Sequence, residues 1–189
     1  NKNLTLIKGY GEPTLISGDL IESGHILTHI WKTGVDYHLP KNFVPKKILL
    51  LGLGGGSNAI YVHKKFPEAE ITAVEVDPAM VEIANKYFKL NKKVPNIKII
   101  IADALNYANE CSEKFDVTLV DCFEGKFIPK KLEDLNFIEK LKNHSRYTLI
   151  NRIWYNEHHA DTISFMKSLS TRFIFSKVHT ATNAILSLL

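Results

Sequence analysis

Four acidic residues stand just past short apolar runs in the middle of the chain: Glu75 in VEVDP, Asp103 in IIADA, and Asp121 with Glu124 in VDCFEG. Carboxylates collected at the tips of successive strands make a negative wall suited to a cationic or hydroxyl-rich ligand, and one of them can take a proton from an attacking amine. Ahead of them, LLLGLGGGSNA passes from apolar residues through Gly52, Gly54, Gly55 and Gly56 into an amphipathic stretch. Glycine removes the Cβ, so bare main chain and its N–H groups can approach a ligand closely there.

Taken alone, the loop indicates a nucleotide-like ligand at the first crossover. A pyrophosphate pattern G-x-G-x-x-G would begin at Gly52 and Gly54 but meets Ser57 where its third glycine belongs. Glu75 lies about 20 residues beyond the loop, where an acid can accept both hydroxyls of a ribose. Asp77 precedes Pro78, an ordinary helix start, so it is assigned to a cap rather than a ligand. Asp103 is open to both readings, as a further cap or as an acceptor for an adenine amino group. Asp121 and Glu124 fall near the point where strand order should reverse, which is where open α/β sheets bind ligands.

Those acids need a scaffold that brings strand tips together. Residues 47–52, 71–76, 97–102, 115–121 and 147–155 are rich in β-branched and aromatic residues and read as buried strands. Helical spacing recurs in SNAIYVHKKF, DPAMVEIANKYFKL and DTISFMKSLSTRF. Regular alternation predicts an α/β fold, a Rossmann-like, doubly wound, mostly parallel sheet. The last stretch, FIFSKVHTATNAILSLL, predicts two strands around a tight turn, an antiparallel hairpin that brings the sheet to seven strands. Residues 1–45, with Gly9, Gly11, Pro13, Gly18, Gly24, Gly34 and Pro40, read as a short N-terminal β-hairpin segment before a domain spanning 46–189.

Composition narrows the function classes. A chain of 189 residues with 45% hydrophobic content can bury a sizeable core in one unit. No apolar run reaches the roughly 20 residues needed to cross a bilayer, and the first residues lack a signal peptide's apolar centre, so a soluble cytoplasmic protein without a membrane partner is expected. Cys111 and Cys122 are too few for a disulfide framework, and no metal site is expected from them. The net charge of +4 comes mostly from scattered lysine pairs, which read as solvated surface rather than a nucleic-acid stripe.

ILLLGLGGGS, AVEVDPAMVEIANKYF, IKIIIADALNY and FDVTLVDCFEG, in that order, resemble the class I S-adenosylmethionine-dependent methyltransferase superfamily. Within it they look most like the spermidine and spermine synthase branch and its methyltransferase-like relatives. The resemblance implies that Gly52, Gly54 and Gly56 border the methionine part of an S-adenosylmethionine cofactor, that Glu75 holds the ribose, and that Asp103 with Ala104 meets the adenine. It implies that Asp121 faces the reacting centre and that Glu124 assists it in holding and deprotonating an amine.

The chain departs from the synthases where their glycine loop carries an aspartate, here Gly55, where a proline follows the second acid, here Gly125, and where a Tyr-His-Glu segment precedes the first strand, here Ile30-Trp31-Lys32. These departures shift the expectation from aminopropyl transfer by a polyamine synthase, with decarboxylated S-adenosylmethionine as co-substrate, to methyl transfer onto an amine, either a small molecule or a protein lysine. A non-catalytic nucleoside-binding module is the remaining alternative, and an NAD-dependent oxidoreductase fits poorly. A β-rich N-terminus makes a homodimer reasonable. Among lesser candidates, His158 and His159 are expected exposed at a helix start, Asn151 follows the fifth strand, Cys122 is expected to be packing, and Trp31, Trp154 and Tyr155 are expected in the core or walling a pocket.

Overall fold

Ile48 to Leu51 are apolar and buried at four consecutive positions, a run that only a strand covered on both faces can use. In the computed structural model, which describes residues 4–7, 13–17, 20–125 and 127–189, this strand is the centre of a seven-stranded sheet. The elements run β1 (Leu4–Ile7), β2 (Thr14–Ser17), β3 (Leu20–Ser23), α1 (His25–His38), β4 (Lys47–Leu51), α2 (Ser57–Lys65), β5 (Glu70–Glu75), α3 (Pro78–Phe88), α4 (Leu90–Lys93), β6 (Lys98–Ile101), α5 (Ala104–Glu110) and β7 (Phe115–Val120). After a short helical turn at Lys130–Glu133 come α6 (Leu135–His144), β8 (Ser145–Ile153), α7 (His158–Ser170), β9 (Phe175–His179) and β10 (Asn183–Leu188).

The sheet order is β6-β5-β4-β7-β8-β10-β9. The chain leaves β4 toward one edge through β5 and β6, then crosses back to add β7 and β8 on the other side. All four of these pairings are parallel, while β10 runs antiparallel to both β8 and β9. The predicted Rossmann-like sheet and terminal hairpin are therefore present. Leu51 pairs with Val74 on one side and Val120 on the other, so the three strands end level. That register puts Gly52, Glu75 and Asp121 side by side at the carboxyl edge, at the point where strand order reverses.

Alternate residues of β4 feed two cores. Ile48 and Leu50 pack with Trp31, Ile60, Met80 and Phe88 on one face. Leu49 and Leu51 pack with Ala108, Phe137, Leu141 and Phe165 on the other. Helices α3, α5 and α6 each begin on an aspartate, Asp77, Asp103 and Asp134, whose side chain accepts from backbone N–H groups of the first turn. Such a cap is worth about 1 kcal/mol.

The N-terminal reading as β structure holds for β1 to β3, which form a separate antiparallel sheet. It does not hold for residues 25–38, which form a helix. Ile30, Trp31, Gly34 and Val35 are its buried face, spaced three and four apart. Gly34 looked like a breaker, but a Cβ there would stand 2.8 Å from Ile185, so the glycine lets α1 lie close on β10. Gly9, Gly11 and Gly18, read as turn residues, lie outside the described residues.

Candidate functional site

The glycine loop is shaped by its neighbours before any ligand. Gly52 has φ 88, and a Cβ on it would meet the Asp121 carbonyl oxygen at 2.3 Å, so only glycine lets β4 end this close to β7. Gly54 is also left-handed, at φ 53. Gly56, at φ 86, sits at the start of α2 with its Cα facing Leu90, and it is not among the residues lining the adjacent cavity. The loop's amides are engaged from within: Leu53 N and Gly54 N donate to Glu75 Oε2 at 3.0 and 3.3 Å, and Asp77 N donates to Oε1 at 3.0 Å.

This arrangement decides what the loop can bind. A pyrophosphate would draw on N–H groups of this loop, and those of Leu53 and Gly54 are already given to Glu75. A carboxylate has about four acceptor positions, and with three used Glu75 can still accept from a sugar hydroxyl. Glu75 is 8% exposed, held in place by the backbone it supports.

Asp121 begins where β7 ends, and its carboxylate is gripped by side chains from three other elements. Trp31 Nε1 of α1 donates to Oδ2 at 2.9 Å, Asn58 Nδ2 of α2 to the same oxygen at 3.4 Å, and Asn151 Nδ2 of β8 to Oδ1 at 2.8 Å. Asn183 Nδ2 donates to Asn151 Oδ1 at 2.9 Å, which leaves Asn151 its amide N–H to give to Asp121. Burial pushes the Asp121 carboxyl above its ordinary range, against the pull of the Asn151, Trp31 and Asn58 donors, and the Glu75 carboxylate adds to the rise. Glu124 stands exposed at the rim, its backbone bridged to Phe127.

Asp103 is both a cap and a wall residue. Its Oδ1 accepts from Leu105 N and Asn106 N, and its Oδ2 from Lys131 Nζ at 2.6 Å. Burial would raise its carboxyl, but Lys131 and the two amides together hold it below the ordinary value. Cys122 is pushed well up by burial and by the charges of Asp121, Glu75 and Asp103, which keeps it a thiol.

Glu75, Asp103, Ala104, Asp121 and Glu124 all line one cavity of about 440 Å³, together with Gly52 and Gly54. That volume suits a small-molecule site. Ile26, Leu27 and Ile30 of α1 close one side, and Tyr155 and Asn183 another. Sequence reasoning did not single out Asn58. Its signal was a lone amide inside the otherwise small or apolar buried run Ser57–Ile60. Trp31 and Asn151 were ranked low, yet both contact the central acid. His158, expected exposed, is 4% exposed, its ring lying edge-on to those of Phe127 and Tyr155, whereas His159 is exposed. Trp154 lies between the rings of His159 and His179, at 3.8 and 4.5 Å.

Comparison with known proteins gives the family and the fold. The model of the Spermine/spermidine synthase domain family matches residues 35–184. The eEF1A lysine and N-terminal methyltransferase homolog of Drosophila melanogaster is 41% identical over 85 residues, covering 43% of this chain and 12% of that protein. The polyamine aminopropyltransferase of Vibrio vulnificus is 34% identical over 101 residues, 52% of this chain and 33% of that protein. The chain thus spans a third or less of these curated relatives. Among solved structures, human methyltransferase-like protein 13 in complex with SAH superposes with a TM-score of 0.65 at 26% identity, over 77% of this chain and 72% of that one. A probable spermidine synthase from Corynebacterium glutamicum reaches a TM-score of 0.80 at 19% identity, over 98% and 76%, a likeness of fold.

Proposed function

Because the chain belongs to the spermine/spermidine synthase domain family, we propose that it is a transferase that binds S-adenosylmethionine or its decarboxylated form and moves a carbon group from the sulfonium to an amine. The observation that carries this reading is the convergence of Glu75, Asp103 and Asp121 on one cavity, with Glu75 occupying the loop amides that a pyrophosphate would need. Glu75 accepts the ribose hydroxyls, Gly52 and Gly54 border the sulfonium side chain, and Asp103 with Ala104 meets the base. Gly56 supports this loop from behind.

The reaction is an in-line displacement. The amine nitrogen forms a bond to the carbon as the carbon–sulfur bond breaks, the electron pair returns to sulfur, and a neutral thioether leaves. Holding nucleophile and carbon in line supplies about 7–11 kcal/mol of the barrier. Asp121 binds the ammonium and takes its proton; the raised carboxyl makes it a better base than an exposed aspartate. Oδ1 carries one donor against two on Oδ2, so it is the oxygen with room for the substrate N–H. Glu124, at the rim, attracts the incoming cation.

Methyl transfer is the favoured form. Ile26, Leu27 and Ile30 give the cavity an apolar wall on the α1 side, and Trp31 spends its N–H on Asp121 where the synthases carry Tyr-His-Glu. The acceptor is then a small amine or a protein lysine, as in the relatives that act on eEF1A. Aminopropyl transfer is the second reading, supported by the pairing of Asp121 with an acid three residues on, the pattern of the polyamine enzymes. Two free thiols fit a cytoplasmic place of work. Calorimetry with S-adenosylmethionine, its decarboxylated form, methylthioadenosine and NAD tests the proposal. Binding of the first with no response to NAD is expected; preference for the decarboxylated form moves the assignment to aminopropyl transfer, and binding of NAD alone overturns it.

A further inference from the structure

At the nucleoside end of the cavity, Asp103 is used asymmetrically. Oδ1 is spent on the first turn of α5, while Oδ2 accepts from the Lys131 ammonium at 2.6 Å. Lys131 reaches Asp103 from 28 residues further along the chain, on the helical turn Lys130–Glu133. Two anchors place that turn: Leu132 is 6% exposed, and Glu133 pairs with the buried Arg152 at 2.7 Å. Asp103, Ala104, Lys131 and Leu132 all line the same cavity.

An oxygen with one donor still has an acceptor position, and an ammonium with one acceptor still has two N–H groups. The pair therefore presents an acceptor beside a donor at one wall of the cavity. The edge of a 6-aminopurine is the complement, an exocyclic N–H beside a ring nitrogen that accepts. We infer that Lys131 reads the base: Asp103 accepts from the exocyclic amino group while Lys131 donates to the adjoining ring nitrogen. This rests on the proposal that the cavity takes an adenosyl compound, and it adds a determinant supplied by the turn after β7 rather than by the glycine loop or the strand tips.

The test is a cycle of ligand and protein changes read by calorimetry. S-adenosylhomocysteine and its 1-deaza and 7-deaza analogues are titrated into the wild-type protein, Lys131→Met and Lys131→Arg. Removing one of the two ring nitrogens is expected to weaken wild-type binding roughly tenfold. Lys131→Met is expected to bind S-adenosylhomocysteine roughly tenfold more weakly and to treat the analogues alike. Lys131→Arg keeps the preference. Equal wild-type binding of all three ligands, an unchanged preference in Lys131→Met, or tighter binding by that variant overturns the inference and leaves the nucleoside site standing. Failure of the wild-type protein to bind either S-adenosylhomocysteine or methylthioadenosine removes both.

Discussion

Glu75 and Asp121 are acids at the tips of β5 and β7, the two strands that flank β4, and they are held in different ways. Glu75 is bonded by backbone N–H groups of residues 53, 54 and 77, all within 22 positions of it in the chain. Asp121 is bonded by side chains of Trp31, Asn58 and Asn151, which lie 90, 63 and 30 positions away. Main-chain donors come with the turn that presents them. Side-chain donors exist only once α1, α2 and β8 have packed. The surroundings of Glu75 are therefore set mainly by turns, and those of Asp121 depend on the packing of distant elements.

The largest way to separate the two acids is Asp121→Asn. It is expected to lower turnover by roughly 10² to 10⁴ while S-adenosylhomocysteine affinity stays within about threefold, as loss of a proton acceptor requires. Equal losses in binding and turnover, by calorimetry and product assay, would show that the two acids act as one unit. Glu75→Ala should do the reverse, weakening ligand binding by roughly tenfold to a hundredfold and lowering the thermal midpoint, because it strips the acceptor from three amides. An unchanged affinity would take the ribose role away from Glu75.

Gly52→Ala probes the seam between β4 and β7. Its left-handed backbone and the 2.3 Å approach to the Asp121 carbonyl predict a destabilisation in urea of about 2–4 kcal/mol. A smaller loss would mean that β4 and β7 can part without cost. The subtlest effect is expected from Trp31→Phe, which keeps an aromatic ring and deletes the N–H. With one donor gone the Asp121 carboxyl rises further, so the acid limb of the pH–rate profile should move to higher pH by roughly one unit. The same elevated carboxyl has a sign in stability: the folded state holds that proton more tightly than the unfolded chain, so its contribution is present at low pH and is lost as pH rises through the folded value.

Much of the central fold could be read directly. Continuous apolar runs such as Ile48–Leu51 announced a sheet covered on both faces, and Asp77-Pro78 announced a helix start, because burial pattern and capping act over a few residues. Helix α1 was hidden by Gly24, Gly34 and Pro40, whose local meaning is a turn, although Gly34 serves a contact with Ile185. Lys131 beside Asp103 was equally illegible, being one lysine of a pair among many.

Residue order alone determined the alternation of strand and helix, the acids at the strand tips and the bare loop after β4, since each follows from periodicity, capping and backbone freedom within short windows. Tertiary structure decided what each acid touches. Hydrogen-bond partners separated by tens of residues are chosen by strand register and helix packing, and no local pattern encodes them. That is why Glu75 was visible as a candidate site residue, while the three side chains that hold Asp121 became visible only in the folded chain.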